Sequence, residues 1–352
     1  MIKKFFSKPL LLVACFIVLV FLVACRNTRA AGEISVMLVD GAPLINMVYL
    51  MSHEFDGIVG TGISFTMTND LDAIVAALLN QEPDFAIVPI NIAAMMHNNG
   101  SGYRMAAVTT WGIMHIVSDQ DVSSLEDLIG ETIIAFGRSG TPGITLRATL
   151  RQNGVPFTEH DTTSFTPDEN SVNILYLTAA SDVRDAIATG MIIGGTSVHF
   201  GLLAEPVATA ITGFAGNTGR PGFTARINLQ TEWARNNDGE IYPQTALVFH
   251  ERLLESNPGI VSDFIAAAER ASAFANNDPV AAGNLAAEFG SIAIPNGTIV
   301  GNAHRAGRLP MDFTPAQDAI PAVTAFLQAI HGENPALIGG RMPTDTFFHV
   351  TE

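Results

Sequence analysis

Short apolar runs alternate with amphipathic stretches over most of this 352-residue chain. Ile34-Ser35-Val36-Met37-Leu38-Val39 reads as a buried strand, stopped by Asp40-Gly41-Ala42-Pro43 and followed by a helix through about Ser52. Residues 65–68 read as the end of a second strand. Asn69 then caps a helix whose apolar positions Leu71, Ile74, Val75 and Leu78 recur at helical spacing. Residues 85–88 form a third strand, with a helix beginning over 92–96. Consecutive strands joined through helices run parallel, so the pattern predicts an α/β fold of mainly parallel sheets flanked by helices.

The pattern restarts near residue 105. Residues 105–110 and 115–118 read as strands, and Ser123-Ser124-Leu125-Glu126 reads as a capping box. Residues 132–136 form a strand ending in Gly137-Arg138-Ser139-Gly140-Thr141-Pro142-Gly143. There Thr141 is the expected N-cap, with Pro142 at the first helical position of a helix to about Gln152. Residues 172–177 give another strand, with Ser181 capping the next helix. Residues 192–196 and 208–212 also read as strands, separated by a helix near Glu205-Pro206. A strand over 245–250 returns to the first unit. The remainder is helical: Ser262 caps 263–275, Asp278-Pro279 opens a helix to about Glu288, and Thr314-Pro315 opens one to about Ile330. Residues 341–350 carry little regular signal.

Apolar residues make up 48% and charged residues 15% of the chain, which suits a large buried core and not a disordered chain. The length fits two domains of about 150 residues each. All three lysines (Lys3, Lys4, Lys8) and both cysteines (Cys15, Cys25) fall within the first 25 residues. The body therefore has no disulfide and no lysine for Schiff-base chemistry. A net charge of −16 argues against nucleic acid, which needs basic patches. His97, His115, His160 and His304 form no metal-ligand spacing, no Gly-x-Ser-x-Gly turn occurs, and no Walker loop follows Gly137. No catalytic residue, metal or cofactor is expected.

The basic start and the apolar residues 10–23 run into Leu22-Val23-Ala24-Cys25. That apolar run is shorter than the about 20 residues a membrane span needs, and suits a secretory signal. It resembles a bacterial lipoprotein signal. The resemblance implies cleavage before Cys25, a lipid on its sulfur, and a body held outside the cytoplasm at a membrane.

Several further stretches together resemble solute-binding proteins of ABC importers, in the group that handles nitrate, sulfonates, taurine and thiamine precursors. They are Asp84-Phe85-Ala86-Ile87-Val88-Pro89, the crossover Ala107-Val108-Thr109-Thr110-Trp111-Gly112, and the run from Ser124 to Ile133. With them go the small-residue loop from Gly137 to Gly143, Ala204-Glu205-Pro206, and the return crossing Tyr242-Pro243-Gln244. The resemblance implies a two-lobed periplasmic-binding-protein type II fold, with a ligand cleft between lobes joined by crossing hinge strands. The expected division is a signal over 1–24, a tether over 25–32, lobe one over 33–112 plus 246–352, and lobe two over 113–245. The implied partners are a small solute, an ABC permease with its ATPase, and a membrane reached through the lipid on Cys25. The protein is expected to be a monomer.

Site candidates lie at strand ends, the edge where open α/β sheets bind ligands. Ser139-Gly140-Thr141 offers N–H groups and two hydroxyls as an anion or carbonyl cradle, and equally reads as a plain cap. Asp40, with Gly41 and Ala42, either accepts from a ligand N–H or closes an Asx turn. Asn91, after Pro89, is either a ligand donor or a helix cap. Thr110 and Trp111 lie in the crossover, where Trp111 stacks on a flat ligand or packs the hinge. Glu205 meets a cationic ligand or anchors a helix N-terminus. Ser197 is a weaker candidate, and His199 reads as a lone polar histidine. Trp233, beside Glu232 and Arg235, reads as a surface residue; Tyr103 and Phe136 read as packing residues. A flat heterocycle such as a thiamine-type pyrimidine is slightly favoured over sulfonate or nitrate, for which Arg138 is the one obvious cation. A sensory or scaffold module, or an enzyme without pyridoxal phosphate, is the alternative on the same fold.

Overall fold

The computed structural model describes residues 33–53, 62–212 and 222–350. The signal and the whole tether, Cys25 included, lie outside the described residues. Fourteen strands occur among the described residues: β1 (Ile34–Val39), β2 (Ile63–Thr68), β3 (Phe85–Pro89), β4 (Tyr103–Trp111), β5 (Met114–Ser118), β6 (Thr132–Phe136), β7 (Phe157–His160), β8 (Val172–Leu177), β9 (Ile192–Ile193), β10 (Thr196–Ser197), β11 (Phe200–Ala204), β12 (Thr224–Asn228), β13 (Pro243–His250) and β14 (Thr314–Pro315). Two six-stranded sheets result, ordered β14-β4-β13-β3-β1-β2 and β12-β5-β11-β6-β8-β7.

Strand direction explains how the sheets face each other. In the first sheet β1 runs parallel to β2 and β3, while β13 runs antiparallel to both β3 and β4. In the second, β6, β7, β8 and β11 are parallel and β5 is antiparallel to β11. Apart from the two-residue edge strand β14, which runs antiparallel to β4, the reversed strands are β5 and β13, and these are the ones that arrive directly from the other sheet. A strand entering a sheet at its carboxyl edge must run against the parallel strands. Both carboxyl edges therefore border the crossing, where open α/β sheets bind ligands. The crossing itself pairs Trp111 with Pro243, and the ladder continues to Tyr103 opposite His250.

Each sheet is covered by helices whose apolar faces pack on it. The helix Pro258–Asn277 buries Ile260, Val261, Phe264, Ala267, Ala268 and Ala271. Phe264 stacks on Phe85 of β3, ring centroids 3.9 Å apart. The helix Thr141–Gln152 has most of its surface buried, because it lies between the second sheet and the helix Ala316–Glu333 of the first.

Several local expectations change. Residues 42–52 form two short helices, Ala42–Ile45 and Val48–Ser52. The helix Leu71–Leu79 is capped by Asp70, whose carboxylate accepts from the N–H of Asp72 (3.0 Å) and Ala73 (3.1 Å), so Asn69 is not the cap. Asp127, not Glu126, receives the N–H groups of Ser123 and Ser124, both at 2.9 Å. Ala179 is the cap position of the helix Ala180–Thr189, placing Ser181 inside it. Ser262 is likewise interior to a helix that starts at Pro258. Gly194 and Gly195, both at positive φ, turn the 192–196 run into the hairpin β9–β10. Residues 208–212 are not a strand: Val207–Ala210 is helical. Strands β7, β11 and β12 and the helix Gly297–Arg305 were not anticipated. Trp233 is 1% exposed, edge-on to Tyr242 and Phe326, so it is core and not surface.

Candidate functional site

Side chains from the two sheets meet directly along the seam. Thr141, at the first position of the helix Thr141–Gln152, donates from Oγ1 to Asn91 Oδ1 at 3.3 Å. Gly140 faces Leu71, a Cβ on it lying 3.8 Å from the leucine methyl. Two ion pairs, each with a buried carboxylate, also join the two sheets' territories. Glu205 accepts from Arg308 Nε at 2.6 Å and from the Thr209 N–H at 2.9 Å, while Arg308 also reaches Thr209 Oγ1 at 2.7 Å. Arg147 of the second-sheet helix donates to Glu333 at the end of the first sheet's helix Ala316–Glu333. Arg151 approaches the same carboxylate at 3.5 Å.

The anticipated residues divide between this seam and the interior. Asn91 and Thr141 are brought together, although neither is a cap: Pro89 and Gly140 occupy the cap positions. Asp40 is 8% exposed, and its oxygens are taken up by a loop 251–253 residues away. It accepts from Ser291 Oγ and from the N–H groups of Ile292 (2.9 Å) and Ala293 (3.2 Å), with Asn69 at 3.4 Å. Gly41, at φ 109°, and Ala42 start the short helix beside it. Glu205 anchors the Val207–Ala210 turn and Arg308, consistent with the helix-anchoring alternative. Thr110 is fully buried and receives Asn46 Nδ2 at 3.4 Å. Trp111 is 6% exposed within the apolar cluster that holds Tyr242 and Trp233. Ser197 lies in the β9–β10 hairpin, paired with the exposed Ile192. His199 is not lone: Asp119 lies 2.8 Å away.

Ser139 and Arg138 line a cavity of about 350 Å³ that spans both sheets' territories, with Arg147, Arg151, Glu159 and Glu333 on its walls. The cations there are matched by acids. Arg138 pairs with Asp161 and with Glu159 (3.4 Å), and Arg147 pairs with Glu159 (3.2 Å) as well as Glu333. Arg147 Nη1 also donates to the Tyr176 hydroxyl at 2.9 Å, and burial raises that phenol's pKa, keeping it protonated. An incoming anion would compete with carboxylates already in place.

Three polar side chains at the crossing escaped the sequence reading. Asn46 interrupts an apolar run, is fully buried, and donates to the Thr109 carbonyl and Thr110 Oγ1. His115, 1% exposed on β5, has Nδ1 3.1 Å from the Ile113 carbonyl. A carbonyl only accepts, so Nδ1 carries the hydrogen and Nε2 is a bare acceptor. Burial lowers the His115 pKa, partly offset by the charge of Glu205, so the ring is neutral. Gln244 sits between Pro243 and Thr245 in β13 and is 6% exposed. Among the described residues no cluster of three or more His, Cys, Asp or Glu side chains is placed to hold a metal ion, and no helix is long and apolar enough to cross a membrane.

This architecture has known counterparts. The chain belongs to the family described as NMT1/THI5 like, whose model matches residues 62–282. Among solved structures, an ABC transporter protein from Parabacteroides distasonis superposes with a TM-score of 0.69 at 20% identity, covering 91% of this chain and 100% of that one. The alkanesulfonate-binding protein SsuA of Xanthomonas axonopodis pv. citri, solved with MOPS, gives 0.62 at 13% identity over 89% and 96%. A Candida albicans protein described as having the generic periplasmic binding protein fold gives 0.59 at 10% identity over 91% and 98%. No curated protein sequence matches the chain. The fold is thus that of the periplasmic binding proteins, and the resemblance to the solute-binding group of ABC importers is borne out.

Proposed function

We propose that this protein is the extracytoplasmic solute receptor of an ABC importer, binding a small organic molecule between its two sheets and presenting the closed form to a permease. Its lobes are residues 33–112 with 246–352, and residues 113–245. It is anchored through a lipid on Cys25 and works as a monomer, without covalent chemistry. The observation that carries this reading is the double crossing: β4 runs into β5, and the chain returns through β13, with both carboxyl edges bordering that hinge. A pair of crossing strands lets two α/β bodies rotate about one line, as hinge closure requires. The seam contacts Asn91–Thr141, Glu205–Arg308 and Arg147–Glu333 are then closed-form contacts that opening breaks. Asn91 and Thr141, with Pro89, Thr110 and Ser139-Gly140, line the solute path. Asp40, Gly41 and Ala42 shape one wall, and Trp111 backs the floor. Membership of the NMT1/THI5-like family, with an ABC transporter protein and an alkanesulfonate-binding protein among the structural neighbours, supports the reading.

A thermal-shift screen of the purified protein against small organic solutes tests it. A receptor is stabilised by its solute in proportion to the logarithm of concentration over dissociation constant. A chain that responds to no class of solute at millimolar concentration contradicts the proposal.

A further inference from the structure

The chemistry of the solute is written in the side chains at the crossing. Asn46 Oδ1, His115 Nε2 and Gln244 Oε1 are buried and meet no hydrogen-bond donor of the protein. Two of the three are fixed as acceptors. Asn46 must point its amide nitrogen at the Thr109 carbonyl, which leaves the oxygen over. His115 must protonate Nδ1 toward the Ile113 carbonyl, which leaves the Nε2 lone pair over. Gln244 can present either end of its amide. All three border one stretch of chain. Asn46 bonds Thr109 and Thr110, Gln244 follows the residue paired with Trp111, and His115 stands four residues beyond Trp111.

Buried acceptors without donors are costly, and a binding site recovers that cost when the ligand supplies the donor. An acceptor-only anion cannot, because it would set lone pairs against lone pairs. Nor is the neighbouring cation free for it: Arg308 is engaged by Glu205 and Thr209. We infer that the solute is a non-anionic molecule carrying at least two N–H or O–H donors, and that Asn46 and His115 select it. This rests on reading the crossing as the solute site of a receptor, and rejects sulfonate and nitrate as the cargo of this chain.

Isothermal titration calorimetry on the full chain tests this with two probe sets. Cytosine, 2-aminopyrimidine and piperazine supply donors; nitrate and methanesulfonate supply acceptors only. The best donor probe is expected to bind at least tenfold more tightly than either anion. His115→Phe, which deletes the acceptor, should weaken that probe at least tenfold. His115→Gln, which keeps a side-chain acceptor, should retain most of the affinity, and melting curves of both variants report whether they are folded. Tighter binding of nitrate or methanesulfonate overturns the inference while leaving the receptor reading intact. So does a folded His115→Phe variant that binds the donor probe unchanged. If His115→Phe does not fold, loss of affinity in folded His115→Gln overturns it. Failure of every probe in both sets contradicts the receptor reading itself, and the inference with it.

Discussion

Removing Arg308 strips a buried carboxylate of its counter-charge. The Glu205 side chain is 0% exposed, and Arg308 is about a quarter exposed, at 25%. In the Arg308→Ala variant the carboxylate keeps the Thr209 N–H as its remaining donor. Breaking one partner of a buried pair costs about 3–5 kcal/mol, because the survivor is left charged and desolvated. Partial exposure of Arg308 puts this pair at the low end, about 3 kcal/mol. A folded chain of this length has an unfolding entropy that converts such a loss into a fall of roughly 4 °C in melting temperature. Differential scanning calorimetry measures it. The double variant Glu205→Gln/Arg308→Ala removes the stranded charge while keeping an acceptor for Thr209, and should recover about half of the loss. A fall of less than about 1 °C in Arg308→Ala, or no recovery in the double variant, refutes the reasoning.

Asp40→Ala should detach the 291–293 loop, leaving two N–H groups and the Ser291 hydroxyl without their acceptor, at a cost of about 2–3 kcal/mol read by chemical denaturation. Gly143→Ala should destabilise by about 1–3 kcal/mol and disturb the 137–140 loop, because its new Cβ would lie 2.8 Å from Arg138 Cα and from the carbonyl oxygens of Gly137 and Arg138; a neutral effect in the same assay contradicts that packing. Stability should fall as pH drops from about 6.5 to about 4. Burial and then the Arg252 charge hold His250 at a pKa of about 4 in the folded state, so the unfolded chain takes up a proton first. Melting temperatures over that range should decline less steeply in His250→Gln, and an unchanged slope rejects the assignment.

The local elements were legible wherever one segment settles them. Strands β6 and β8 and the end of the helix at Gln152 follow the sequence reading, because apolar runs bounded by turn residues need no distant partner. The Asp278 cap was legible for the same reason: its carboxylate meets Ala281 N–H three residues on. The site was legible in residue type but not in partnership. Asp40 and Glu205 are acids at strand ends, as a cleft calls for, yet their partners Ser291 and Arg308 stand 251 and 103 residues away. No spacing rule links such positions. Trp233 misled because charged neighbours suggest solvent, whereas Glu232 is itself buried and paired with Arg235. Asn46 and His115 did leave a signal, each a polar residue inside an apolar run. Burial and bonding were needed to turn it into a statement about acceptors.

The central claim is that two bodies close about the β4–β5 and β13 crossing when solute binds. Because both cysteines lie within the first 25 residues, Cys15 and Cys25 can be substituted and single spin labels placed at Asp185→Cys and Glu269→Cys, on exposed helix positions of the two bodies. Pulsed electron–electron resonance then reads the distance between them. The account predicts a broad distribution without solute that becomes shorter and narrower when the tightest-binding probe of the calorimetric sets is saturating. A distribution that stays the same under saturating solute contradicts it.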